Sequence, residues 1–170
     1  MRAFAEWLST TAPSVAIQSR LWFIRLLQAT HLLTAGVASV SGLMIALRVL
    51  GLQRADQPFA AVWLRFAPWL VVSLAVMVLT GIAQTLGDPV REFTSFSYWL
   101  KLALVLCCVG GTLLLARAAW RAPSAAPAAA FPFAAKLTAA ALIVFWLSIV
   151  LLGRIIAYDR AIWGSLSMRT

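Results

Sequence analysis

Four long apolar stretches constrain this chain more than any other feature of its sequence. They cover residues 21–50, 66–87, 98–117 and 137–157. A bilayer core takes about 20 apolar residues as an α-helix, and backbone polar groups in lipid must be hydrogen-bonded within the segment. The sequence therefore predicts an all-α integral membrane protein. Residues 1–170 form a single transmembrane domain, an antiparallel four-helix bundle preceded by a short interfacial N-terminal segment.

The composition supports lipid as the solvent of these helices. The chain is 63% hydrophobic and 11% charged, whereas a soluble domain is roughly half apolar and about a quarter charged. Its net charge is +9, but the basic residues lie between the apolar runs rather than in one stripe. We interpret them as topology determinants and as contacts with the lipid bilayer, and we predict that the chain does not bind nucleic acid.

The charges of the loops predict an orientation. The second loop carries Arg91 against Asp88 and Glu92, whereas the first and third loops carry a single acid, Asp56. The basic residues of those two loops and their borders are Arg48, Arg54, Arg65, Arg117, Arg121 and Lys136. By the positive-inside rule, these loops face the cytoplasm and both termini face the periplasm.

Polar residues within the spans occur at one end of all four helices. These residues are Arg25, Gln28, His31, Gln84, Lys101 and Arg154. Alternating spans place them in a single layer, on the predicted periplasmic side. Because ionisable groups in a membrane are costly and usually functional or paired, the layer predicts a site for an anionic group such as a propionate, a carboxylate or a lipid phosphate. The alternative is that these side chains snorkel and pair with nearby acids and headgroups.

His31 is the only histidine, and it lies on a helical face of small residues that includes Ala35, Ala38 and Gly42. Such a face admits a neighbouring helix or a flat ring such as haem. We predict the slot for a ring between the first and third spans. The alternative is a histidine that only hydrogen-bonds to another helix.

Neutral imidazole ligates haem iron and copper, so His31 is the candidate metal ligand. A haem b with two histidine ligands needs a second histidine. The other possibilities are Met77 or Met44 as the second ligand, a five-coordinate iron, or His31 of a second subunit. Copper, held by His31 with Cys108 or a methionine, and a quinone are the other candidate cofactors, and a protein without any cofactor is the remaining option.

Four short motifs carry a family resemblance over nearly the whole chain. They are QATHLLTAG at 28–36, GDP at 87–89, FSYWLKLAL at 96–104 and GRIIAY at 153–158. In their order and spacing the chain resembles an uncharacterised family of small four-helix bacterial inner-membrane proteins, grouped as a domain of unknown function. The resemblance implies that His31, Lys101 and Arg154 occupy the family's recurrent polar positions. There is a weaker similarity to the membrane part of copper-resistance D proteins, whose additional histidines this chain lacks.

The sequence thus favours a small cofactor-binding membrane protein, either b-type cytochrome-like or a quinone-linked electron-transfer subunit. His31 would ligate or hydrogen-bond the cofactor, and Arg25, Lys101 and Arg154 would hold its anionic groups. The alternatives are a cofactor-free structural or anchoring subunit of a larger membrane complex and a copper-handling membrane protein. We expect other membrane subunits or further copies of the chain as partners.

Overall fold

The computed structural model describes residues 1–120 and 131–164, and no strand occurs in these two ranges. The helices are α1 (Arg2–Ser9), α2 (Ala12–Gln18), α3 (Leu21–Leu50), α4 (Phe59–Gly87), α5 (Pro89–Thr94), α6 (Phe96–Trp120), α7 (Phe133–Ile155) and α8 (Asp159–Trp163). A 3₁₀ turn, Ile156–Tyr158, joins α7 to α8. The prediction of an all-α four-helix bundle is confirmed.

Four of these helices, α3, α4, α6 and α7, are long and apolar enough to cross a membrane. Their outer faces carry large apolar side chains with high exposure, such as Leu33 at 72%, Leu79 at 67% and Leu106 at 72%. A water-soluble bundle turns such side chains inward, so contiguous exposure on every long helix indicates a lipid solvent. The chain is a multi-pass membrane protein.

Three of the four observed spans begin at an earlier residue than predicted. The first span matches its prediction and ends at Gly51, whose left-handed φ of 75° terminates α3. The second begins at Phe59 rather than at residue 66, because the exposed Arg65 can reach the headgroup layer from within a helix. The third and fourth begin at Phe96 and Phe133 rather than at residues 98 and 137, and the fourth ends at Ile155 rather than at residue 157.

The packing order leaves one side of the bundle open. Helix α3 packs against α4 and α7, and α6 packs against α7, whereas α4 and α6 barely touch. Two glycines allow the closest approaches: Gly42 on α3 lies under Trp146, and Gly111 on α6 lies under Leu142. We predicted an opening between the first and third spans, but α3 and α6 are not neighbours in this ring, and the open side lies between α4 and α6.

Short helices cover the end of the bundle at which α3 begins. Helix α1 packs on α5, where Phe4 meets Phe93 edge-to-face at 5.7 Å, and α2 packs on α4. The Ser14 hydroxyl donates to the Leu86 carbonyl at 2.6 Å and fixes α2 there. Phe4 and Trp7 remain about half exposed or more, which suits a short helix that lies at a membrane surface.

Candidate functional site

His31 projects from α3 onto the face of α4. Its Nδ1 lies 2.9 Å from the Thr80 hydroxyl oxygen, and its ring covers Gly81, where an added Cβ would lie 3.4 Å from Cε1. The Thr80 hydroxyl hydrogen is already directed to the Val76 carbonyl at 2.8 Å, as is common for threonine in helices. In the neutral ring, Nδ1–H therefore donates to Thr80, and Nε2 is left as an acceptor.

Lys101 on α6 lies within electrostatic range of both His31 and Glu92. Glu92 on α5 is only 7% exposed, and its carboxylate is 3.2 Å from the Arg91 guanidinium. Arg91 in turn lies 3.2 Å from Asp88. The sequence left open whether the Lys101 charge is offset by a bound anion or by a nearby acid. Glu92 lies close enough to attract it, although the ion pair that Glu92 forms is with Arg91. A negative charge nearby makes a half-buried lysine more tolerable in a membrane. We call His31, Thr80, Lys101 and Glu92 the polar cluster.

Two further polar side chains flank the polar cluster. Gln84 lies one turn beyond Thr80 on α4 and donates to the Thr80 carbonyl at 3.3 Å. The Tyr98 hydroxyl lies 3.3 Å from the Thr85 hydroxyl and bridges α6 to α4 near the end of their open side. The sequence prediction that Gln84 and Lys101 lie in the same layer as His31 therefore agrees with the placement of these three residues.

The other three predicted site residues stay outside the polar cluster. Arg25, Gln28 and Arg154 are exposed, and the described parts of the chain offer their side chains neither a hydrogen bond nor an ion pair. Arg25 and His31 share one end of α3, but six residues turn a helix by about 600°, so their side chains differ by about a third of a turn. The prediction placed the two residues together because they lie at a similar membrane depth, but their side chains point in different directions around α3.

The described residues hold no group of three or more His, Cys, Asp and Glu side chains that could bind a metal ion. Cys108 is fully buried and lies about 10 Å farther along α6 than Lys101. Met77 lies one turn before Thr80 on α4, whose hydroxyl is in direct contact with the His31 ring, so α3 and α4 leave no gap for a porphyrin there. Met44 lies about 20 Å along α3 from His31. The geometry therefore gives no support to a haem held by His31 and a methionine of the same chain.

Two functional features escaped the sequence analysis. Glu92 was counted only as an acid near the border of the spans, although it is buried, forms an ion pair with Arg91 and attracts the Lys101 charge. Asp159 is fully buried, and its carboxylate accepts hydrogen bonds from the Ser95 hydroxyl and from the Phe96 and Ser97 backbone N–H groups at 2.9–3.1 Å. The run Ser95–Phe96–Ser97 at the start of a span was the available signal, since helix N-termini require acceptors.

No family model, no curated protein and no solved structure matches this chain. The polar cluster is therefore the feature of this chain from which a function can be inferred.

Proposed function

We propose that this protein is a quinone-linked electron-transfer subunit of the bacterial inner membrane, and that it binds the headgroup of a lipophilic quinone at His31 and Lys101. The observation that carries the proposal is the fixed imidazole. Thr80 holds Nδ1, no hydrogen bond among the described residues occupies Nε2, and the Lys101 ammonium lies nearby. A quinone carbonyl accepts a hydrogen bond from such an ammonium, and a quinol hydroxyl donates to such an imidazole.

The reaction needs groups that exchange protons as well as groups that bind. Reduction of a quinone to its quinol takes up two electrons and two protons. Lys101 and His31 can deliver or accept protons, and Glu92 continues the path toward the end of the bundle that α5 covers. The two electrons come from a partner subunit that carries a redox centre, which agrees with the expectation of other membrane subunits.

Access to the polar cluster favours a ligand that moves within the bilayer. His31 and Lys101 are both half-buried rather than enclosed, and the neighbouring side of the bundle is the one at which α4 and α6 barely touch. A lipophilic molecule can enter there without crossing water. Haem is supported less well, because Arg25 and Arg154 lie outside the polar cluster, where they do not meet a propionate bound at His31.

Quinone binding is tested with the purified full-length protein in detergent, by titration with a short-tailed ubiquinone analogue and measurement of heat. We expect saturable binding to one site. Lys101→Met should weaken it about tenfold to a hundredfold, because a hydrogen bond to a charged group contributes about 1.5–3 kcal/mol. His31→Ala removes a neutral hydrogen bond of about 0.5–1.5 kcal/mol and should weaken it about twofold to tenfold. Arg154→Gln removes a cation from the same membrane side outside the polar cluster, and it should leave the affinity unchanged.

An organic extract and an absorption spectrum of the same preparation distinguish the alternatives. Co-purified quinone in the extract of the unaltered protein, reduced in Lys101→Met, supports the proposal. A Soret band that disappears in His31→Ala would replace the quinone with haem. A colourless protein without bound quinone and without saturable binding would leave the anchoring subunit as the function.

We also propose that both termini face the periplasm, so that the polar cluster lies on the periplasmic side. Arg2 and Arg91, two cations of this side, are paired with acids in the structure, which weakens their opposition to the positive-inside rule. A periplasm-active reporter fused after Thr170 should be active and a cytoplasm-active one silent. Activity of the cytoplasmic reporter alone would reverse the orientation.

A further inference from the structure

A second feature lies on the outer surface of α3 and α4, and it extends from near the depth of His31 toward the opposite side of the membrane. A groove of about 380 Å³ runs between the two helices. It is lined by Gly36, Val40 and Ser41 on α3 and by Phe66 and Trp69 on α4. From Leu33 to Ser41 the groove extends about 12 Å along α3. Its lining is almost entirely apolar and lies at the membrane depth of lipid acyl chains.

One polar atom faces this groove. Ser41 is 3% exposed and lines the groove, and the described residues give its hydroxyl no hydrogen-bond partner. Other span hydroxyls, such as Thr112, donate to the carbonyl four residues back. Its hydroxyl opens onto the groove rather than being fully enclosed, so a ligand in the groove can supply the acceptor that it lacks.

The end of the groove nearest the α3–α4 loop is cationic. The Arg54 guanidinium lies 5.8 Å from the centroid of the Phe66 ring, which lines the groove. Arg65 precedes Phe66 and is exposed. The ion pairs among the described residues involve neither arginine, and the Arg54 Nε is buried without a hydrogen-bond partner there. Arg54 also holds a left-handed φ of 51°, a conformation uncommon outside glycine.

We infer that this groove binds one molecule of an anionic glycerophospholipid. An acyl chain fills the groove, an ester carbonyl accepts from Ser41, and the phosphate lies against Arg54 and Arg65. The charge complementarity selects this occupant, because a neutral lipid or an apolar helix leaves both guanidinium groups without an anion. The inference concerns a different site from the polar cluster and does not depend on quinone binding.

Native mass spectrometry of the full chain in detergent, titrated with phosphatidylglycerol or phosphatidylcholine, tests the inference. We expect one retained phosphatidylglycerol and at least tenfold weaker binding of phosphatidylcholine. The double variant Arg54→Gln/Arg65→Gln should bind phosphatidylglycerol about twenty-five-fold more weakly, since each basic residue near an anionic headgroup contributes about fivefold. Arg25→Gln/Arg160→Gln removes two exposed cations from the other end and should change nothing.

A groove-filling substitution tests the acyl chain separately from the charge. Gly36→Leu places a side chain in the groove, and Gly110→Leu places the same side chain on α6, where the space around the glycine is equally open. We expect Gly36→Leu alone to lose the retained lipid. Equal binding of the two phospholipids, or full binding by the arginine double variant, would overturn the inference. So would a dimer that Gly36→Leu converts to monomer, because the groove would then hold a second copy of the chain.

Discussion

We expect the Asp159→Ala protein to lose about 3 kcal/mol of its free energy of unfolding. The carboxylate of Asp159 accepts three hydrogen bonds from the start of α6, at Ser95, Phe96 and Ser97. Ser95 and Ser97 are fully buried, so alanine leaves polar groups unsatisfied inside the protein, each at a cost of about 1–3 kcal/mol. Loss of negative charge at a helix N-terminus adds to this effect.

The measurement is unfolding in mixed detergent and dodecyl sulfate micelles, followed by helical circular dichroism. Asp159→Asn keeps one acceptor oxygen and should lose less than alanine does. Asp88→Ala is the matched control, because Asp88 accepts one backbone bond of 3.3 Å at the start of α5 and is half-exposed, with a solvent-accessible ion pair to Arg91, and it should cost under about 1 kcal/mol. If the Asp159→Ala and Asp88→Ala proteins unfold at the same fraction of dodecyl sulfate, Asp159 does not stabilise the start of α6.

The same contact joins the C-terminal part of the chain to the middle. Trp163 donates from its indole to the Ser97 hydroxyl at 2.8 Å and packs on Phe96 with ring centroids 4.8 Å apart. Asp159→Ala removes the hydrogen bonds next to these Trp163 contacts and should weaken the attachment of α8. Limited proteolysis should therefore cut between α7 and α8 sooner than in the unaltered protein. The residues of the polar cluster lie on α3, α4, α5 and α6 rather than on α8. Asp159→Ala should therefore reduce the affinity for quinone less than it reduces the free energy of unfolding.

The sequence predicted the spans well because hydrophobic length is a one-dimensional property. The apolar run beginning at Leu21 and ending near Leu50 defines α3 without reference to any neighbour. Short amphiphilic segments are different. Helices α5 and α8 have six and five residues, too few to be stable alone. They form because they pack against the bundle end, and their presence was therefore not predicted.

The membrane depth of the polar residues was predicted, but the direction in which each side chain points around its helix axis was not. A helix that is apolar all round gives no periodic signal of its inward face, so the sequence could not say that His31 faces α4 while Arg25 faces outward. The closeness of Glu92 to Lys101 also requires knowing how α5 packs on α6. Depth follows from the chain alone, whereas side-chain direction and the proximity of charges follow from tertiary packing.

Gly42→Ala should lower the free energy of unfolding by about 2–3 kcal/mol, which is large for the addition of one methyl group. A Cβ at this position would overlap the Trp146 Nε1 and lie 3.0 Å from Cε2. Trp146 is 2% exposed and has little room to shift, so α3 and α7 must separate. Overpacking of a close-packed interior typically costs about 1–3 kcal/mol.

Two exposed glycines provide matched controls for this substitution. Gly36 and Gly110 have no atom within 4 Å of an added Cβ, so Gly36→Ala and Gly110→Ala should be neutral or stabilising by up to about 1 kcal/mol through helix propensity. A loss of stability in all three variants would attribute the effect to the glycine backbone rather than to Trp146.

The double variant Gly42→Ala/Trp146→Phe distinguishes overlap from a general loss of packing. The indole N–H of Trp146 has no hydrogen-bond partner among residues 1–120 and 131–164, so phenylalanine removes bulk without breaking a hydrogen bond. If overlap is the cause, the double variant should lose at least about 1 kcal/mol less than the sum of the two single losses, as residues in contact do. Strict additivity would mean that the indole does not set the distance between α3 and α7.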